Sequence, residues 1–218
     1  PTAPVTASSV GWTGANAAGS ITGTMSLLMS ATNAGIYDAT SKNDLETVGN
    51  AQISTTQSKF GGSSMAFDGT GDYLYGKNTR LVDIGSGDFT IEGWLYPTTS
   101  GTTRAIVSQF NTNGTGPGWT SYLKTTNVIE FYGGSGTITV TGTTAVSANA
   151  WSHFAICRYG STITIYVNGV AGGTGTNSSF SDDTTGPVEV GARGGAGSIP
   201  FTGYIDDLRI TKGYARYT

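Results

Sequence analysis

Short β-type segments recur at regular intervals from residue 51 to the end of this 218-residue chain, and that spacing constrains the fold more than any single motif. They are Ala51–Ser54, Ser64–Asp68, Tyr73–Gly76, Phe89–Tyr96, Ala105–Phe110, Thr120–Lys124, Val128–Tyr132, Thr137–Val140, Trp151–Tyr159, Thr162–Val167, Val188–Ala192 and Phe201–Ile210. Gly, Asn and Ser clusters separate them, and Gly alone supplies 34 residues for tight turns. In the clearest segment Ile163, Ile165 and Val167 alternate with Thr162, Thr164 and Tyr166 before Asn168-Gly169, a pair that predicts a type I′ hairpin turn. Residues 151–158 before it are apolar on both phases, which predicts a central strand covered on both faces. No stretch has sustained helical periodicity, and residues 211–216 are expected to form at most a single turn. No internal repeat argues for two duplicated units. The pattern predicts an all-β sandwich of two antiparallel sheets and about a dozen strands, rather than a barrel or an α/β fold.

Residues 1–24 are rich in Ala, Gly, Ser and Thr, with Trp12 the one large side chain, and read as an extended arm or linker ahead of a domain over 25–218. Met25–Met29 is a short apolar run, and residues 35–49 read as a polar loop carrying Asp38, Asp44 and Glu46. The Pro1-Thr2-Ala3-Pro4 start and the Tyr217-Thr218 end suit a module from a longer, tandem-domain polypeptide. Only 11% of residues are charged and the net charge is −3, so the sequence has no basic stripe and nucleic acid is not an expected partner. No apolar run is long enough to predict membrane insertion. Cys157 is the single cysteine, lies in an apolar strand and is expected to be a buried thiol.

Four segments carry a family resemblance: Lys59–Leu74 with Phe67-Asp68-Gly69, Gly87–Tyr96 with Phe89-Thr90-Ile91-Glu92-Gly93-Trp94, residues 151–169, and the tail Phe201–Ile210 with Asp206-Asp207-Leu208-Arg209-Ile210. In this order they resemble the laminin-G-like domains of the concanavalin A-like superfamily, over about residues 26–218. The resemblance implies a jelly-roll sandwich. The wording of Gln57–Gly62 and Ile210–Thr218 is similar to versions in structural proteins of tailed bacteriophages. Gly93 departs from the pattern, because a large apolar residue is common there in the family.

The resemblance also implies a structural calcium, held by an aspartate of the last strand and a carbonyl from the Phe-Asp-Gly turn. Asp206, Asp207, Asp68 and Gly69 occupy those places. Ca²⁺ takes six to eight oxygens, and neighbouring carboxylates on a regular strand face opposite ways, so only one of Asp206 and Asp207 is expected to ligate. The competing reading has one carboxylate capping a turn and the other pairing with Arg209 or Lys212. For sugar recognition, which needs flat rings beside amides and hydroxyls, the candidates are Asn111, Asn113, Trp119, Tyr122 and Tyr132. Edge packing or contact with a neighbouring subunit accounts for the same rings equally well.

Catalysis is not expected. His153, the single histidine, lies mid-strand and reads as structural, and Glu92 and Glu130 are solitary where glycoside hydrolysis needs a carboxylate pair. The glycine-rich stretch 191–197 reads as turns, since no helix or Lys-Ser/Thr ending follows. The expected function is a non-enzymatic structural or decoration module on a bacteriophage virion surface or appendage such as a tail fibre. Its partners would be neighbouring virion subunits, with oligomerisation in the assembled particle. The alternative is an adhesin domain that binds host surface polysaccharide.

Overall fold

The computed structural model describes residues 24–32, 35–38, 45–77, 82–110, 118–134, 137–177, 186–194 and 197–218. The arm expected before Thr24 lies outside them. Among the described residues every regular element is a strand, and the strands form two antiparallel sheets. The nine-stranded sheet runs β14 (Val170–Thr176), β13 (Thr162–Val167), β12 (Ser152–Tyr159), β7 (Phe89–Pro97), β16 (Thr202–Lys212), β1 (Thr24–Thr32) and β2 (Gly35–Asp38). Two further strands, β4 (Gln52–Ser54) and β5 (Ser64–Asp68), join it through β16. The seven-stranded sheet runs β11 (Ile138–Ala145), β10 (Val128–Gly133), β9 (Trp119–Leu123), β8 (Arg104–Gln109), β15 (Val188–Val190), β6 (Tyr73–Gly76) and β3 (Leu45–Val48).

Between the sheets lies one apolar cluster that includes Leu27, Phe89, Ile91, Leu95, Trp119, Leu123, Phe131, Phe154, Ile156, Ile165 and Leu208, all fully buried. Each such side chain contributes about 1.5–3 kcal/mol through burial, which explains why a chain with few charges still folds. β12 is buried at every position but its last, as its two-phase apolar pattern predicts. The β13–β14 turn has Asn168 at φ 50° and Gly169 at φ 80°, the two positive values a type I′ turn requires.

Three expectations change. The polar loop of residues 35–49 contains β2 and β3, because short edge strands need only backbone pairing and show little apolar alternation. β14, Val-Ala-Gly-Gly-Thr-Gly-Thr, is glycine-rich, mostly exposed and absent from the strand candidates, yet it pairs along β13 after the Asn168-Gly169 turn. Residues 211–216 form no helical turn: β16 continues to Lys212, and the remaining residues cross the outer face of the nine-stranded sheet.

β16 organises this end of the fold. One of its edges pairs with β7, while the other pairs first with β5 through residues 202–205 and then with β1 through residues 209–212. Between these partners the register against β7 shifts, and Asp207 adopts φ 47°. This is a β-bulge, with Asp207 and Leu208 opposite Gly93. The bulge also accounts for the missing side chain at position 93: a Cβ there would lie 3.2 Å from both Leu208 Cα and Phe154 Cε1. Leu208, fully buried, fills the space that a larger residue at 93 would take.

Candidate functional site

Alternation along β8, β9 and β10 sends Trp119, Ser121, Leu123, Ile129 and Phe131 inward, and Thr120, Tyr122, Glu130 and Tyr132 outward. On the outer face the rings of Phe110 and Tyr132 stack, with centroids 6.2 Å apart and planes at 29°. Tyr122 lies 6.4 Å from Tyr132. The Arg193 guanidinium is 4.3 Å from the Phe110 centroid and 5.6 Å from that of Tyr132, and its Nη1 donates to the Tyr122 hydroxyl. Burial pushes the Tyr122 phenol up, so it stays protonated beside the cation. Tyr132 and Arg193 are half-buried and reach solvent. Exposed Thr139 and Thr141 stand opposite Tyr132 and Glu130 across the β10–β11 ladder, and Thr141 Oγ1 donates to Glu130 Oε2 at 3.0 Å. Lys124 closes this side with a 2.9 Å ion pair to Glu130 Oε1. The face therefore offers one half-buried ring, Tyr132, against the buried rings of Phe110 and Tyr122, bordered by hydroxyls, a carboxylate and two cations.

Tyr122 and Tyr132 thus meet on one surface. Trp119 does not join them: it is fully buried between the sheets, and its Nε1–H donates to Gln109 Oε1 at 3.2 Å. Its ring is part of the core because it lies three positions from Tyr122 on a strand, on the opposite phase. Asn111 and Asn113 lie outside the described residues.

The four residues expected to hold calcium do not form one donor set. Asp206 Oδ2 accepts the backbone N–H groups of Lys59 (2.9 Å) and Phe60 (3.0 Å), and Oδ1 accepts that of Asp207. It caps the 57–62 loop where β16 changes partners, and it holds Phe60 edge-on to Trp94. Desolvation outweighs the three donors and shifts the Asp206 carboxyl upward. Asp207 lies 3.7 Å from Arg209 Nη2, the pairing of the competing reading. Asp68 is opposite Thr202, four residues before Asp206 on β16, which separates them by about 13 Å along the strand. Gly69, at φ 88°, packs so closely on Thr202 that a Cβ would overlap Thr202 Oγ1. Among the described residues no three His, Cys, Asp or Glu side chains converge as a metal site.

His153 sits on the outer face of β12, nearly buried, with Nε2 3.6 Å from Glu92 Oε2. Glu92 also meets Arg216 Nε at 3.1 Å, Arg209 Nη1 at 3.7 Å and the Tyr217 hydroxyl at 2.8 Å. Burial alone would raise the Glu92 carboxyl, yet the neighbouring His153 imidazole, the two arginines and Tyr217 hold it below its ordinary value. The result is a closed ionic cluster, with Glu92 sealed under the 213–218 segment.

The Laminin_G_3 family, described as the concanavalin A-like lectin/glucanases superfamily, matches residues 68–215. The chain belongs to this family. Solved structures share the fold of this Laminin_G_3 chain. Domain 4 of a GH43 extracellular arabinanase from Geobacillus stearothermophilus, in complex with arabinotriose, is similar at 18% identity and TM-score 0.71 over 88% of this chain and 94% of that one. The binding domain of Paraclostridial Mosquitocidal Protein 1 is similar at 18% identity and TM-score 0.67 over 89% of this chain and 49% of that one. The binding domain of Botulinum Neurotoxin DC in complex with SialylT gives 12% identity and TM-score 0.61 over 85% and 47%. The chain spans about half the length of the toxin binding domains it matches. No curated protein sequence matches it.

Within this Laminin_G_3 domain, Phe110 and Arg193 join the candidate face without having been singled out from the sequence. Phe110 reads as the apolar end of a strand, and Arg193 sits inside a glycine-rich turn. A lone long cation among glycines was the available signal, because small neighbours leave such a side chain free to lie across a sheet.

Proposed function

We propose that this domain is a non-catalytic carbohydrate-binding module that presents the outer face of its seven-stranded sheet to polysaccharide. The half-buried Tyr132 ring, backed by the buried Phe110 and Tyr122 rings and by Arg193, and set beside the exposed Thr139 and Thr141 hydroxyls, carries the reading. Sugar C–H faces pack on rings, and sugar hydroxyls need directional partners at the rim. The ligands in two similar structures support it: arabinotriose with the arabinanase domain and SialylT with the neurotoxin binding domain. A non-catalytic role is supported by Glu92 and Glu130, each already engaged by cations and hydroxyls rather than set against a second carboxylate. The resemblance to tailed-phage structural proteins supports a place on a virion surface or appendage, among virion subunits, where such a face would meet host glycan.

The test is binding of the labelled, folded domain to a panel of bacterial surface polysaccharides. Saturable, sugar-competable binding that falls about tenfold in Tyr132→Ala and in Arg193→Ala is expected. No saturable binding by the folded domain, or binding indifferent to both variants, would overturn the reading.

A further inference from the structure

On the outer face of the other sheet, Gln52, Ala66, Tyr204 and Tyr96 stand side by side in register across β4, β5, β16 and β7. Ala66 is the smallest of the four, so the surface dips between Gln52 and Tyr204. The dip opens into a cleft of about 380 Å³ bordered by Asn50, Gln52, Ala66, Asp68, Thr98 and Tyr204. Tyr204 forms one wall and is half-buried. It is braced edge-on by Tyr96 (5.8 Å, 78°), which in turn meets Trp151 (5.5 Å, 61°). A ring held in this way offers a stacking surface at little cost in side-chain entropy.

The polar end of the cleft is built on a buried carboxylate. Asp72, 1% exposed, accepts the backbone N–H of Asn50 with Oδ1 and that of Asp68 with Oδ2, at 2.8 Å for the latter. Both acceptor oxygens are used in fixing two backbone positions eighteen residues apart in sequence, and from these the Asn50 and Asp68 side chains project. Those side chains are exposed, and Asn50 Nδ2 lies 3.4 Å from Asp68 Oδ2, a long contact. A carboxylate acceptor and a carboxamide that both donates and accepts therefore sit one hydrogen bond apart, beside a ring. That spacing matches adjacent hydroxyls on a sugar ring, and the Asp68 charge disfavours acidic sugars.

We propose that this cleft is a second sugar-binding site, taking one residue of a neutral glycan by stacking on Tyr204 and hydrogen bonding of adjacent hydroxyls to Asp68 and Asn50. It lies on the opposite sheet from the Tyr132 face, so the domain holds two glycan sites that face apart. Two such sites let one domain bridge glycan chains or gain avidity on a dense surface.

The experiment is an NMR titration of the ¹⁵N-labelled protein with the methyl glycosides of glucose, galactose, mannose and arabinose, with glucuronate as the charged control. The expected result is saturable shifts at the amides of Asn50, Asp68, Thr98, Thr202 and Tyr204 with a neutral glycoside, and weaker ones with glucuronate. Asp68→Ala and Tyr204→Ala should each weaken this binding about tenfold, while Tyr132→Ala leaves it unchanged. The spectrum itself reports folding, and Asn50→Ala, at an exposed side chain, substitutes for any variant that unfolds. Absence of shifts at these amides with all four neutral glycosides, or shifts that survive the substitutions, overturns the proposal. Polysaccharide binding indifferent to Tyr132→Ala and Arg193→Ala, with the cleft shifts present, would overturn only the first site.

Discussion

Tyr217 donates its hydroxyl hydrogen to Glu92 Oε2 at 2.8 Å and so ties residues 213–218 to the middle of the nine-stranded sheet. Burial and the adjacent carboxylate push the Tyr217 phenol up, which keeps it a donor. The same segment places Arg216 Nε on Glu92 and its backbone N–H on Thr90 Oγ1, at 3.1 and 3.0 Å. Tyr217 also packs on Ala155, Cys157 and Tyr166, so a small second apolar cluster forms outside the main core.

Replacing Glu92 with Gln removes the anion and leaves Arg209 and Arg216 facing each other in a nearly dry site. A loss of about 3 kcal/mol is expected near pH 7 in urea unfolding, with about half of that for Tyr217→Phe. The Glu92 carboxyl is held below its usual 4.5, so its contribution is present above about that pH and lost as pH falls through the lower folded value. The wild-type protein should therefore lose stability on acidification more steeply than Glu92→Gln. Equal slopes would show that the cluster does not favour the ionised carboxylate.

Asp207 has the opposite sign. Burial pushes its carboxyl up from 3.8 to about 6 despite Arg209, and the charges of Glu92 and Asp206 add to the rise. Its stabilising effect is full below 3.8 and is lost as pH rises through about 6, where the ionised form predominates. Asp207→Asn keeps a residue that tolerates positive φ and cannot ionise, so it should stabilise the protein by about 1–2 kcal/mol above pH 6 and have little effect near pH 4. Thermal unfolding at the two pH values measures the difference.

Cys157 is buried, and desolvation pushes its thiol up to about 12. Almost no thiolate exists at neutral pH, and the thiol is reached only by opening the sheet. Ellman's reagent should not react with the folded protein over minutes, and should titrate one thiol in urea.

Trp119 packs in the core through its whole ring and donates to Gln109. Trp119→Phe should cost about 1–3 kcal/mol of stability while leaving polysaccharide affinity unchanged. A fall in affinity with unaltered stability would place the ring in the binding face instead.

Much of the strand layout is legible along the chain. The alternation of Thr162–Val167, the Asn168-Gly169 turn and the two-phase apolar run of β12 each depend on neighbours in sequence, and each appears where it is expected. β2, β3 and β14 escape because edge strands are held by backbone pairing, which leaves no side-chain period to read. At the candidate face, Tyr122 and Tyr132 are legible as aromatic residues near a loop. Their partnership with Phe110 and Arg193 is not, since β8, β9, β10 and the 191–197 turn come together only across the sheet.

The sequence by itself determined the all-β class, the positions of the central strands, the single buried thiol and the family, because these follow from local periodicity, turn chemistry and motif order. The tertiary structure alone decided which rings face solvent, since facing depends on register and on bulges, and a one-residue shift reverses it. Trp119 and Tyr122 differ in this way on one strand. The bulge at Asp207 and Leu208 likewise separates two adjacent carboxylates, directing Asp206 to the 57–62 loop and Asp207 to Arg209.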